Sequence, residues 1–241
     1  MAKRGEMTLP VVRVVDDTPT VRDFRFDLDG VEGFTFTPGQ FVTLTTDVPG
    51  HGVTTRAYSI ASAPTERRFL DLCIKVFPDG VLSKFMFERV EPGYRFTVKG
   101  PFGKFVWNED LGDKLALIGA GTGIAPLASM IRYARDRRLA TDVKLLFSNK
   151  TESEIIYKDE LDRAAASGGP FRVAYTVTRG AGEAWPGYRR RIDRAMLEEV
   201  FPDIRERLCY ICGAPEMVND TSRSLRELGL PESAIRSEKY Y

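Results

Sequence analysis

The chain of 241 residues carries 35 Lys and Arg against 34 Asp and Glu, a formal charge of +1, and is 43% hydrophobic. Near-neutrality removes the general attraction that nucleic-acid and anionic-membrane binders use. No apolar run approaches the ~20 residues of a membrane span, and no apolar leader follows the basic start Met1-Ala2-Lys3-Arg4. A cytoplasmic monomer is expected. Three cysteines, Cys73, Cys209 and Cys212, fit a reducing compartment. The single histidine, His51, argues against His-rich metal sites.

Up to about residue 107 the chain is a series of short β-like runs, at residues 11–15, 21–26, 41–45, 54–61, 69–76 and 95–98. Pro38-Gly39, Pro49-Gly50, Pro78-Asp79-Gly80 and Pro92-Gly93 punctuate them. Many short strands with regular breaks predict an antiparallel barrel or sandwich, interrupted by one short helix over 81–88.

From residue 111 strands and helices alternate. Strands are predicted at 114–118, 143–147, 171–177 and 208–211, and helices at 124–138, 153–166, 193–200 and 215–228. That alternation predicts a parallel sheet covered on both faces. The fold class is therefore an antiparallel β-barrel followed by a Rossmann-like α/β domain. The polar segment around Gly112 places the boundary between domains at 1–110 and 111–241.

At the head of the second half, Leu117-Ile118-Gly119-Ala120-Gly121-Thr122-Gly123-Ile124 reads as buried strand, glycine turn and helix start. Such a turn lets backbone approach a pyrophosphate, while the helix N-terminus supplies N–H donors. A plain tight strand–helix turn would use the same residues. The spacing is Gly-x-Gly-x-Gly, and Ser148-Asn149-Lys150 stands where an acid would hold a ribose 2′-hydroxyl. That absence weighs against strict NAD(H) use.

Arg56-Ala57-Tyr58-Ser59 in the barrel half, with the glycine turn and Cys212-Gly213-Ala214-Pro215 behind it, resembles the ferredoxin–NADP reductase superfamily of FAD-dependent reductases. The likeness covers nearly the whole chain, with its motifs in the family's order. It implies a barrel that binds FAD and a second domain that binds NADP(H) or NAD(H). By that resemblance Arg56 pairs with the FAD pyrophosphate, Ala57 lies in the same segment, Tyr58 packs on the isoalloxazine and Ser59 bonds near flavin N5. A second flavin segment is Cys73-Ile74-Lys75 with Gly80-Val81-Leu82-Ser83, while Gly100-Pro101-Phe102-Gly103 is structural.

In the second half the resemblance gives Gly121 and Thr122 the nucleotide pyrophosphate. Cys212, Gly213 and Pro215 go to the nicotinamide end and Thr178 and Arg179 to a 2′-phosphate, which the arginine cluster around Arg190 also suits by charge and geometry. The basic loop could equally be solvated, and NADPH is preferred over NADH as the donor. The ending Glu238-Lys239-Tyr240-Tyr241 matches the family's Glu-x-Tyr, with Tyr240 stacked on the flavin; a disordered tail is the alternative. Ser59, Cys212, Glu238 and Tyr240 form the expected hydride-transfer set.

No metal is expected at Cys209-x-x-Cys212, because residues three apart on a strand face opposite sides. No second cysteine pair completes four ligands either. The chain lacks a plant-type iron–sulfur cysteine run, so the resemblance implies electron transfer to a separate carrier such as ferredoxin or flavodoxin. Three rivals remain: an NADH-dependent reductase component of a multicomponent oxygenase, a free-flavin reductase and a non-catalytic flavin electron-transfer subunit. A stacked Tyr240 counts against the second, and the complete hydride-transfer set against the third.

Overall fold

The computed structural model describes residues 5–180, 182 and 184–240. The basic start at residues 1–4 and the last tyrosine, Tyr241, lie outside the described residues. The chain forms two compact units that divide after Trp107, with Ala128–Arg137 grouping with the first.

The first unit contains β1 (Gly5–Thr18), β2 (Val21–Asp27), β3 (Phe41–Val48), β4 (Gly52–Ser59), β5 (Phe69–Lys75), α1 (Val81–Arg89) and β6 (Arg95–Phe102). The strands form one antiparallel sheet in the order β4-β3-β6-β1-β2-β5. Its two edges meet just beyond β4, where Ile60 bridges Leu72 and the Ala61 amide donates to the Asp71 carbonyl at 2.9 Å. The sheet therefore curls into a barrel. Alternation along the strands sends Phe24 and Phe26, Val42 and Leu44, Leu70 and Leu72, and Phe96 and Val98 into one fully buried core. β1 runs well beyond its predicted apolar centre because it pairs with both β2 and β6, and its polar ends carry backbone bonds rather than core side chains.

The second unit contains β7 (Lys114–Ala120), the start of α2 (Ile124–Asp136), β8 (Asp142–Asn149), α3 (Lys158–Ala166), β9 (Phe171–Val177), α4 (Arg194–Val200), β10 (Leu208–Gly213), α5 (Pro215–Glu227) and β11 (Ile235–Lys239). The sheet is parallel throughout, in the order β11-β10-β7-β8-β9. Near-continuous apolar runs mark β7 and β10, as burial on both faces requires. Two elements differ from expectation. The helix predicted from residue 153 begins at Lys158, because Ile155 and Ile156 turn inward and Tyr157 takes a left-handed φ of 59°. The chain's end, which carries no strand-like apolar run, forms β11 by pairing with β10.

One buried cation pins the N-terminal edge of this sheet. The Arg207 side chain is fully buried just before β10. It donates to the Leu115 carbonyl at 3.0 Å, the Asp142 carbonyl and carboxylate, and both Asp203 oxygens at 2.7 and 2.8 Å. Three strand starts are thus tied through one guanidinium. Its hydrogen bonds, helped by Lys144 at 3.0 Å, hold the Asp203 carboxyl well below the usual carboxylate range. A group lowered on folding stabilises above its unfolded value, and that stability is lost as pH falls through the folded one. Asp203→Asn should therefore destabilise by about 1–3 kcal/mol at pH 7, and the difference should shrink below about pH 4. Urea unfolding of both proteins at pH 7 and pH 3 measures this; an equal difference at both pH values would remove the ion pair from the cause.

Candidate active site

In the first unit the sequence-predicted residues lie on β4, at the end of β5 and at the start of α1, and β4 and β5 are the two edges that meet at the Ile60–Leu72 bridge. Leu44 lies opposite Arg56 and Val42 opposite Tyr58 across the β3–β4 pair, and directly opposed residues share a face. Leu44 and Val42 are fully buried, yet Arg56 on the same face is exposed and Tyr58 only partly covered. The core-side face of β4 thus runs out from beneath protein cover. Burial pushes the Tyr58 phenol up to about 12, partly countered by Arg56, so it stays neutral. Ser59, at the end of β4, is buried.

Cys73, Ile74 and Lys75 end β5, and the chain then turns through Gly80 into α1. A Cβ on Gly80 would lie 2.3 Å from the Ser83 hydroxyl oxygen and 3.1 Å from the Phe77 Cβ, so glycine lets this turn close tightly. No side chain caps α1 and no acid stands in its first turn, which leaves the dipole and the first-turn amides of Val81, Leu82 and Ser83 suited to an anion. An uncapped helix start, an exposed arginine on a core-side face and a half-covered tyrosine offer amide and guanidinium donors and a flat aromatic surface, chemistry suited to a ligand with a diphosphate and an aromatic ring.

Two residues missed by sequence reasoning hold the exit of β4. The fully buried Ser129 hydroxyl donates to the Ser62 carbonyl at 2.7 Å, and Arg132 donates to the Ala61 carbonyl at 2.8 Å. Both come from the part of α2 grouped with the first unit. No local pattern links positions about 70 apart in sequence.

In the second unit the glycine turn Gly121–Gly123 leads directly into α2. Gly121 has φ +53°, and open space surrounds the place of a Cβ. At Gly123 a Cβ would lie 2.1 Å from the Cys212 carbonyl oxygen, so the turn rests on the end of β10. Gly213 and Pro215 continue that end into α5, with the proline in the first helical turn. In the β10–β11 pair Cys212 lies opposite Glu238, and the Tyr240 amide donates to the Gly213 carbonyl at 2.9 Å. The Tyr240 side chain hydrogen-bonds the Cys212 sulfur. Burial first, then the Glu238 charge, pushes the Cys212 thiol far up, so it stays neutral and is no thiolate nucleophile. Cys212, Glu238 and Tyr240 thus come together. Ser59 belongs to the first unit. Cys209 is wholly buried in the core, its thiol raised to about 12 by burial.

The turn after β9 is tied to the end of β8. Thr178 donates its amide to the Asn149 carbonyl at 3.0 Å, and Arg179 its amide to the Lys150 carbonyl at 2.7 Å. The Arg179 guanidinium is exposed and has no side-chain partner among the described residues. Arg190 is instead paired with Asp193 at 2.8 Å and Glu199 at 3.5 Å, and Arg191 with Glu216 at 3.2 Å. Of the basic residues expected around a 2′-phosphate, Arg179 is the one left uncommitted.

Comparison with known proteins agrees with this layout. Residues 9–107 match the oxidoreductase FAD-binding domain model and residues 117–223 the oxidoreductase NAD-binding domain model. A glycine betaine monooxygenase reductase subunit of Chromohalobacter salexigens is 32% identical over 98% of this chain, which spans 64% of that relative's length. Ferredoxin–NADP reductase B of Sorangium cellulosum is 33% identical over 99% of this chain and 98% of its own length. A ferredoxin–NADP⁺ reductase from Neisseria gonorrhoeae, solved with bound FAD and NADP, superposes with a TM-score of 0.82 at 25% identity, over 98% of this chain and 99% of that one. With both domain models matched in order and a relative one-third identical from end to end, the chain belongs to the ferredoxin–NADP reductase superfamily of FAD- and NAD(P)-binding oxidoreductases.

Proposed function

We propose that this protein is an FAD-containing NAD(P)H reductase that delivers electrons singly to a separate carrier protein. The observation that carries this reading is the grouping of Cys212, Glu238 and Tyr240 on the strand end against which the glycine turn packs. A dinucleotide-binding domain needs only the turn; the buried thiol and the carboxylate beside it suit a site that positions a nicotinamide ring. Bound FAD supplies hydride acceptance from the nucleotide and one-electron release.

The chain's own residues bind and orient. Arg56 and the first-turn amides of α1 hold the flavin diphosphate, a planar guanidinium matching phosphate geometry. Ala57 lies beside it, Tyr58 lies against the isoalloxazine, and Ser59 holds a proton toward flavin N5. Cys73, Ile74, Lys75 and Gly80 shape the rest of the flavin seat. Gly121 and Thr122 take the nucleotide diphosphate, while Cys212, Gly213 and Pro215 bound the nicotinamide. Tyr240 occupies the nicotinamide's place until the nucleotide displaces it, which lowers apparent affinity by the closed fraction. Thr178 and Arg179 read the 2′-phosphate, and Arg190 joins them only if its pairs with Asp193 and Glu199 open. NADPH is the preferred donor and ferredoxin or flavodoxin the carrier. The likeness to an oxygenase reductase subunit supports a second reading, with NADH as donor and an oxygenase component as acceptor.

Arg56→Ala should purify depleted of FAD and bind added FAD about tenfold or more weakly, since a charged hydrogen bond contributes about 1.5–3 kcal/mol. Flavin content per protein measures this, and full occupancy would reject the flavin seat. Arg179→Ala should raise KM for NADPH about tenfold or more while leaving KM for NADH within about twofold, by the same energies. Steady-state kinetics with both donors decides; equal rises would move Arg179 out of a 2′-phosphate site.

A further inference from the structure

The end of β8 holds a side chain whose chemistry the fold leaves unused. Asn149 is 6% exposed, and its Nδ2 is buried without a hydrogen-bond partner. Its main chain is not idle: the carbonyl accepts from the Thr178 amide and, at 3.3 Å, from the Thr178 hydroxyl. An amide donor left unpaired in the interior costs about 1–3 kcal/mol, so its persistence calls for a partner.

Position narrows that partner. Ser148 pairs with Ala120 on β7, so Asn149 is level with Gly121, where the space around the turn is open. On its other side Asn149 pairs with Val177, one residue before Thr178 and Arg179. The amide therefore stands at the C-terminal edge of a parallel sheet, where such sheets bind ligands, between the glycine turn and the Thr178-Arg179 turn. This is also the strand end at which many dinucleotide-binding domains carry an acid for the ribose 2′-hydroxyl. A carboxylate there accepts from the hydroxyl and repels a 2′-phosphate. An amide has the same shape, carries no charge and can donate to either a ribose oxygen or a phosphate oxygen.

We infer that Asn149 is a specificity-determining residue of the nucleotide site, its Nδ2 donating to the adenosine ribose or its 2′-phosphate, in the place where an acid would exclude the phosphate. The inference rests on the nucleotide occupying the Gly121–Gly123 turn.

The test is direct binding, by calorimetry at pH 8, of ADP-ribose and 2′-phospho-ADP-ribose to the FAD-loaded protein. The two probes differ only in the phosphate and carry no nicotinamide. Wild type should bind both. Asn149→Asp should weaken 2′-phospho-ADP-ribose about tenfold or more relative to ADP-ribose, and Asn149→Ala should weaken both by a similar, smaller factor. Circular dichroism reports folding; if the Asp variant does not fold, the Ala variant decides alone, by weakening or failing to weaken the two probes. Unchanged affinities in the folded variants would overturn the inference and leave the amide to a buried water. Wild type that binds neither probe would instead reject the nucleotide site itself.

Discussion

The geometry of the nucleotide-binding half depends on a missing methyl group. At Gly123 a Cβ would sit 2.1 Å from the Cys212 carbonyl oxygen, a separation no real side chain tolerates. Its absence lets the first turn of α2 rest on the end of β10, which joins a phosphate-binding turn to the Cys212 strand end. Everything downstream follows the strand pairing: Cys212 opposite Glu238, the Tyr240 amide on the Gly213 carbonyl and the Tyr240 side chain on the thiol. Parallel sheets place such turns at the carboxyl ends of their strands, so turn, thiol and terminal aromatic share one edge. At the opposite edge, Arg207 ties the starts of β7, β8 and β10.

A different constraint shapes the barrel. An open sheet edge is a hazard that proteins cover or close. Here β4 and β5 meet at one bridge between Ile60 and Leu72, and beyond it the core-side face of β4 carries Arg56 into solvent. A strand face that begins in the core and ends exposed is poor packing for a protein alone. It is the surface that a ligand with an aromatic body and a charged end would cover, and the uncapped start of α1 adds first-turn amides suited to that charge.

Much of this was legible in the sequence because the signals are local. The glycine turn, the apolar runs of β7 and β10 and the Arg-x-Tyr-Ser strand each occupy a few adjacent residues. What stayed hidden depends on distant partners. β11 is polar enough to read as a tail, and only its pairing with β10 makes it a strand. The late start of α3 comes from burial of Ile155 and Ile156, which resemble helical positions in the sequence. Arg179 and Arg190 look alike in a basic loop, yet Asp193 and Glu199 draw one away. Asn149 registered in the sequence only as a missing acid; its orphaned amide is a property of the folded sheet.

The central proposal is that the FAD-loaded protein takes a hydride from a nicotinamide nucleotide. It is tested most directly by mixing the FAD-loaded protein, without oxygen or carrier, with NADPH or NADH bearing deuterium or hydrogen at the nicotinamide C4 position. The expected result is rapid bleaching of the flavin in a single turnover, faster with NADPH and slower for the deuterated nucleotide. Flavin that remains oxidised with both nucleotides would contradict it.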